Sequence, residues 1–250
     1  MKLAVIPARG GSQRIKNKNF LDFCGKPMIA YALEAAKKSR LFDKIHVSTE
    51  SVHIQSLVEE LEYPVDFLRP PELADNFTGL IPVLQWVLKQ YHNRGLEYED
   101  VCCIMPTAPL LEPQDLIRAY DVFSQNEKQH PLLVVAKLPV PVEWVFRRDE
   151  RGVLTSLTPE ALSSRSQDLK KAFYEAGPFS FFHASHLSDH YESPKEPRFL
   201  SYLLTRNRAV DIDDADDLLL AKTLYLGNQA QKKDISVEER RMDYEKHQNR

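Results

Sequence analysis

Arg9, Arg14, Lys16 and Lys18 fall within ten residues, with no acid between them, directly after the apolar run Leu3–Ile6. Gly10 and Gly11 follow the first of these cations, and Ser12 adds a hydroxyl. Paired glycines let backbone N–H groups approach an anion closely and adopt the left-handed conformations that form N–H nests. Guanidinium and ammonium groups supply charge-assisted donors. This combination suits a triphosphate. Two familiar phosphate loops are excluded, because neither G-x-x-x-x-G-K-[ST] nor G-x-G-x-x-G occurs in the chain. The bland alternative is a solvated basic loop. The density of cations and the place of the loop after a buried strand favour a ligand.

A second group of chemical residues stands near the other end. "VDIDDADD" carries Asp211, Asp213, Asp214, Asp216 and Asp217. In an extended strand residues two apart share a face. Asp211 and Asp213 then point one way, and Val210 and Ile212 point into the core. Two carboxylates on one face suit Mg²⁺, which takes one or two carboxylates and completes its shell with water and phosphate. A calcium loop does not fit, because Asp216 stands where that motif needs Gly and Lys222 where it needs Glu. Asp214, Asp216 and Asp217 also suit the N-terminus of a following helix. His183, His186 and His190 invite comparison with a zinc site, but no cysteine or further partner accompanies them. No general base stands out.

The elements that must position these groups read as alternating strands and helices. Strands are predicted at 2–7, 44–49, 64–68, 100–105 and 131–138. Helices are predicted from "GKPMIAYALEAAKKS", "ESVHIQSLVEELE", "TGLIPVLQWVLKQYH" (broken early by Pro82) and "EPQDLIRAYDVFSQ". Near-continuous apolar strands between helices imply a mostly parallel sheet covered on both faces, a three-layer α/β/α arrangement. Ligands in such sheets bind at the carboxyl ends of strands, near a topological switch point. The rhythm changes at Pro139. Residues 139–200 read as an insertion projecting from the sheet, with a hairpin turning at "RDERG" and an aromatic strand in "AFYEAGPFSFFHA". "NRAVDIDDADDLLLAKTLYLG" reads as a strand and helix closing a domain over 1–228, and 229–250 as a charged tail, a frayed helix or disordered.

Bulk properties bound the partners. A formal net charge of −3 argues against a nucleic-acid binder, so the local cation cluster points to a compact anion. No apolar run is long enough to span a bilayer, and the N-terminus does not read as a secretory signal. Three cysteines, two of them adjacent within "VCCIM", suit small core residues, not a disulfide framework. The expected setting is the cytoplasm.

The motif "IPARGGSQRIKNKN" resembles the opening motif A-R-x-G-S-K-x-x-x-x-K-N of the acylneuraminate cytidylyltransferases. "KIHVSTE", "FLRPPELADNFTG", "MPTAPL" and "DIDDADDL" continue the likeness in the family's order. Within that family the likeness is nearest to the branch that acts on pseudaminic acid, with sialic and legionaminic acids as alternative sugars. A non-catalytic nucleotide-sugar module and a hydrolase on the same fold are the readings from other classes. The resemblance implies a Rossmann-like nucleotidyltransferase fold with a dimerisation insertion at 139–200, hence a homodimer. It also implies transfer of CMP from CTP to the anomeric hydroxyl of an acidic nine-carbon sugar, with Mg²⁺ and release of pyrophosphate.

By the same resemblance, Arg9 and Lys18 are catalytic cations on the triphosphate. Ala8, Gly10, Gly11, Ser12, Asn19, Arg69, Thr78, Pro106 and Thr107 contact the nucleotide, and Asp211 and Asp213 hold the metal. Arg165, Gln167, Tyr174 and Phe179 form the sugar pocket; for the two aromatics, core or dimer packing is the competing reading. Arg69 has a salt bridge, and Thr78 a helix cap, as the plainer role. The chain departs from the pattern in three places. Gln13 stands where the family has Lys, Met105 where many members have Gln, and Tyr174–Phe179 reads Tyr-Glu-Ala-Gly-Pro-Phe in place of the usual Tyr-Asp-Ala-Gly-Gln-Phe.

Overall fold

The computed structural model describes residues 1–11, 14, 15, 17–188 and 197–248, with side chains of the last helix described to residue 231. A six-stranded sheet forms from β1 (Lys2–Pro7), β4 (Lys44–Ser48), β5 (Asp100–Ile104), β6 (Leu132–Lys137), β9 (Phe173–His183) and β10 (Leu200–Leu203). Their spatial order is β10-β6-β9-β5-β1-β4. β1 runs parallel to both β4 and β5, and β10 runs parallel to β6. β9 runs antiparallel between β5 and β6. Small two-stranded pairs are made by β2 (Asp22–Phe23) with β3 (Lys26–Pro27), and by β7 (Phe146–Arg148) with β8 (Leu154–Ser156).

The central strands β1 and β5 bury both faces, which is why their sequences are apolar without alternation. Ala4 and Ile6 pack with residues of α1 (Met28–Ser39), α2 (Val52–Glu60) and α4 (Pro113–Gln125). Leu3 and Val5 pack on the opposite face with Leu84, Val87 and Tyr91 of α3 (Leu80–His92). A third cluster joins Phe23, Met28 and Tyr31 to Ile212 and Ala221 and so anchors α5 (Ala215–Gln248) beside α1. Cys102 and Cys103 are free thiols in the core, and burial pushes both up.

Three expectations need correction, and a fourth is narrowed. Residues 64–68 form no strand: Pro64 has no N–H to give a ladder, and the segment instead packs Val65 inward and leads to Arg69, whose N–H meets the Thr49 carbonyl at 2.7 Å. Pro82 does not break α3, because it sits in the first turn, where its missing N–H has no helical partner to lose. The segment 139–200 does not project as one piece. The β7–β8 hairpin lies outside the main sheet, but the aromatic strand β9 is one of its inner strands, with Ala176, Phe179 and Phe181 buried in the core. Of the two readings of the charged tail, the helical one matches the structure and the disordered one does not, since α5 runs on past 229 to Gln248. Lys, Glu, Arg and Gln are good helix formers once a packed first turn has nucleated the helix.

Candidate functional site

β1 has β4 on one side and β5 on the other, with α1 and α3 packed on opposite faces. That is the switch point at which open α/β sheets bind ligands. A cleft of about 490 Å³ opens there. Its lining brings together Pro7 and the loop after β1 (Arg9, Arg14, Lys18, Asn19), the residues after β5 (Met105, Pro106, Thr107), the acids Asp211 and Asp213, and Asn76.

The cationic hook and the acid pair meet across this cleft. Arg14 Nη2 lies 2.7 Å from Asp213 Oδ1, and Lys18 Nζ lies 3.4 Å from the same oxygen. The acids sit on irregular backbone and not on the strand expected from sequence. The alternation nevertheless holds, because Ile212 is fully buried in the cluster beneath α5 and leaves its two neighbours facing the cleft. Asp211 is open to solvent on one side. Desolvation on the other side, and then the neighbouring Asp213 charge, push its carboxyl up. Asp213 N and Asp214 N donate to Asp217 Oδ2, and Asp216 N and Asp217 N donate to Asp214 Oδ1. Those acids therefore satisfy the helix start, as their plainer role requires.

Each cation is held differently. Arg9 Nη1 donates to the Asp75 carbonyl at 2.8 Å and to Asn76 Oδ1 at 2.9 Å, both neutral acceptors, so its charge stays available to an anion. Asn19 is buried and its Nδ2 donates to the Arg9 carbonyl at 3.1 Å, which fixes the turn of the loop. Ala8 is buried beneath the loop, with its N–H on the Ser48 carbonyl. Gly10 N donates to Glu50 Oε1 at 2.7 Å, and a Cβ at Gly10 would come within 3.2 Å of that oxygen, so glycine suits the close approach. Gly11 has open space around it. Ser12, Gln13 and Lys16 lie outside the described residues.

Other expected residues are not brought to the cleft wall. Arg69 is 5% exposed and pairs with Glu50 at 3.3 Å; burial pulls its guanidinium down, and Glu50 opposes that. The salt bridge is real but buried, below the phosphate loop. Thr78 does not cap α3, whose N-cap is Gly79; Asp75 Oδ1 accepts from the Thr78 N–H at 2.6 Å. Arg165 is exposed and pairs with Asp168, with Gln167 on the short 3₁₀ turn between them. The Tyr174 hydroxyl donates to the Ala209 carbonyl at 3.4 Å. Phe179 is 1% exposed and packs within the core, edge-on to Phe181 and tilted against Tyr202, so it walls no pocket. His183 Nδ1 meets Ser185 and His186 Nδ1 accepts from His183 N, which is a cap, and His190 lies outside the described residues. Among the described residues no group of three His, Cys, Asp or Glu is arranged to hold a metal.

Two residues of the site escape a sequence reading that scans for cations. Asn76 lines the cleft and orients Arg9, and Glu50 ties Gly10 to Arg69. Glu50 had one signal: it ends "KIHVSTE" at the carboxyl edge of the strand neighbouring β1.

Residues 3–210 match the family model described as cytidylyltransferase. The chain belongs to the cytidylyltransferase family. It is 34% identical over 226 residues to a pseudaminic acid cytidylyltransferase of Campylobacter jejuni, covering 90% of this chain and 97% of that one. It is 28% identical to an N-acylneuraminate cytidylyltransferase of Escherichia coli, covering 93% of this chain and 54% of the relative. A solved structure of CMP:2-keto-3-deoxy-manno-octonic acid synthetase complexed with CTP shares the fold, with TM-score 0.69 at 15% identity over 91% of this chain. In this cytidylyltransferase the loop after β1 and the acids before α5 thus converge on one cleft, and no helix among the described residues is long and apolar enough to cross a membrane.

Proposed function

We propose that this chain transfers CMP from CTP to the anomeric hydroxyl of pseudaminic acid and releases pyrophosphate. One observation carries the reading: Arg14 and Lys18 meet Asp213 across a cleft at the switch point, so cations for a triphosphate and carboxylates for its metal face one space. The choice of sugar rests on the 34% identity to the Campylobacter jejuni enzyme over nearly its whole length.

Negative charge grows on the leaving pyrophosphate as the α-phosphorus is attacked. Lys18, Arg9 and the N–H group of Gly11 are assigned to that charge, while Gly10, its own N–H held by Glu50, lets the loop turn close to the ligand; fixed donors stabilise a transition state without reorganising. Asn19 fixes the turn of the loop through the Arg9 carbonyl, and Ser12 is assigned to the phosphates by its place in the motif. Pro106 and Thr107 floor the cleft at the end of β5. Thr78 supports the loop that holds Arg9, Arg69 supports Gly10 through Glu50, and both are assigned to the nucleotide side of the site. Asp211 and Asp213 offer hard oxygen donors, and two carboxylates with substrate phosphate fit Mg²⁺. Mg²⁺ held there would neutralise phosphate charge and orient the α-phosphoryl group.

Arg165 and Gln167, on the exposed segment before β9, are assigned to the sugar carboxylate, and Tyr174 to the sugar pocket. The same segment exposes Val142, Phe146, Leu154 and Phe173, which suits a homodimer contact. We place the enzyme in the cytoplasm, in keeping with its free cysteines, and assign it neither nucleic acid nor membrane as a partner.

The test is pyrophosphate release from CTP and Mg²⁺ with a panel of pseudaminic, legionaminic and sialic acids, the products weighed by mass spectrometry. CMP-pseudaminic acid is the expected product. Turnover with sialic or legionaminic acid but none with pseudaminic acid overturns the sugar assignment. Release of CMP or inorganic phosphate without a sugar adduct overturns the transferase reading.

A further inference from the structure

Two stretches wall the cleft without regular structure of their own. One is Met105–Thr107, between β5 and α4; the other runs from β10 to α5 and carries Asp211 and Asp213. Irregular backbone has no ladder to fix it, so something else must set the distance between the two walls. A single buried carboxylate joins them. Asp115, the third residue of α4, is 2% exposed. It accepts from Glu112 N at 3.0 Å, which closes the helix cap just after the β5 wall. It also accepts both arms of Arg208, Nη1 to Oδ2 at 2.8 Å and Nη2 to Oδ1 at 2.9 Å, and the Tyr202 hydroxyl at 2.9 Å. Arg208 Nη1 lies 3.2 Å from Glu112 as well.

Arg208 therefore comes from the acidic stretch and locks onto the first turn of the helix that follows the opposite wall. Only Ala209 and Val210 stand between it and Asp211, a span of about 10 Å at full extension. On the far side Ile212 is sunk in the cluster beneath α5. Asp211 is thus bracketed by two fixed points, one a planar two-bond fork and one an apolar plug. Fork–fork geometry fixes direction as well as distance, which an ammonium group would not do. Arg208 does not line the cleft.

We infer that Arg208, oriented by Asp115, is a positioning residue that holds Asp211 and Asp213 in place on the cleft as a pair able to serve a metal ion. The inference rests on the nucleotidyltransferase reading of the cleft. It does not depend on which sugar is used.

The test is binding of Mn²⁺ to the protein–CTP complex without sugar, read from the free-ion signal in electron paramagnetic resonance. CTP affinity without metal is measured beside it, and thermal melting verifies the fold. In Arg208→Gln the Mn²⁺ affinity should fall about tenfold, the size typical for losing a partner that orients a ligand. Metal-free CTP affinity should stay within about twofold, because the cationic hook is untouched. Arg208→Lys, which keeps the charge but not the fork, should also lose Mn²⁺ affinity, and it decides the matter if the Gln variant does not fold. Unchanged Mn²⁺ affinity in a folded variant overturns the inference. So does an equal loss of metal-free CTP affinity, which would mark a general collapse of the site. A wild-type protein that takes up no Mn²⁺ with CTP overturns the reading of the cleft and this inference with it.

Discussion

Two arginine–aspartate pairs bear on the same acidic stretch, and they are built in opposite ways. Arg14 and Asp213 face each other across the open cleft, with side chains 67% and 37% exposed. Arg208 and Asp115 lie behind it, at 20% and 3%. An exposed pair is screened, worth little, and readily exchanged for another partner. A buried pair is locked, because separating it strands a charge away from water. Similar distances, 2.7 and 2.8 Å, therefore mean different things. The first is a contact that a phosphate or a cation can replace. The second is a fixture that keeps the place where the replacement happens.

The sharpest way to break this contrast is to remove one acid from each pair. Asp115→Ala removes both fork bonds of the Arg208 guanidinium and leaves it Glu112 alone, loses the Asp115 half of the α4 cap and leaves Tyr202 unpaired. It should lower stability by about 3–5 kcal/mol. Asp213→Ala should change stability by no more than about 1 kcal/mol. Urea denaturation of both variants measures the difference, and equal losses would erase the distinction.

The next effect is kinetic. Lys18 is largely buried on the cleft wall, 14% exposed, and meets Asp213 at 3.4 Å. If that contact is exchanged for a triphosphate oxygen during reaction, Lys18→Ala should lower turnover at least about tenfold, with little loss of stability. Steady-state kinetics at saturating CTP separate this from weakened binding, because a rise in KM alone would make Lys18 a binding residue and no more.

The two regions also differ in how far they could be read before folding. The cation loop was legible because glycines, cations and an apolar strand stand together in the chain. The acid pair was legible because alternation with Val210 and Ile212 survives even on irregular backbone. The three-layer fold followed from its uninterrupted apolar strands. The buried lock was hidden, since Asp115 and Arg208 lie far apart in sequence and each reads locally as an ordinary cap or surface residue. Glu50 and Asn76 escaped for the same reason: their roles are hydrogen bonds to a loop that only the fold brings near. β9 was misplaced because an aromatic strand entering antiparallel breaks the strand–helix rhythm. Phe179 went with it, as an aromatic beside a suspected pocket carries no mark that it faces inward.

The smallest effect concerns the acids themselves. Burial, and then Asp213, push the Asp211 carboxyl above its ordinary value of 3.8. A raised native value means that the folded state keeps a proton the unfolded chain has already released. Stability therefore falls as pH rises from the ordinary carboxylate range through the raised value, and it stays reduced at neutral pH. Asp211→Asn removes that penalty. Because Asp211 is partly open to solvent, the gain at pH 7 should be only a few tenths of a kcal/mol, shrinking towards pH 4. Denaturant titrations of the variant and its parent at the two pH values measure it. A variant less stable at pH 7 would mean that Lys18 and Arg14 already outweigh the repulsion. A more stable variant that has lost its metal would show the acid pair kept against the interest of the fold, which is the usual cost of an active site.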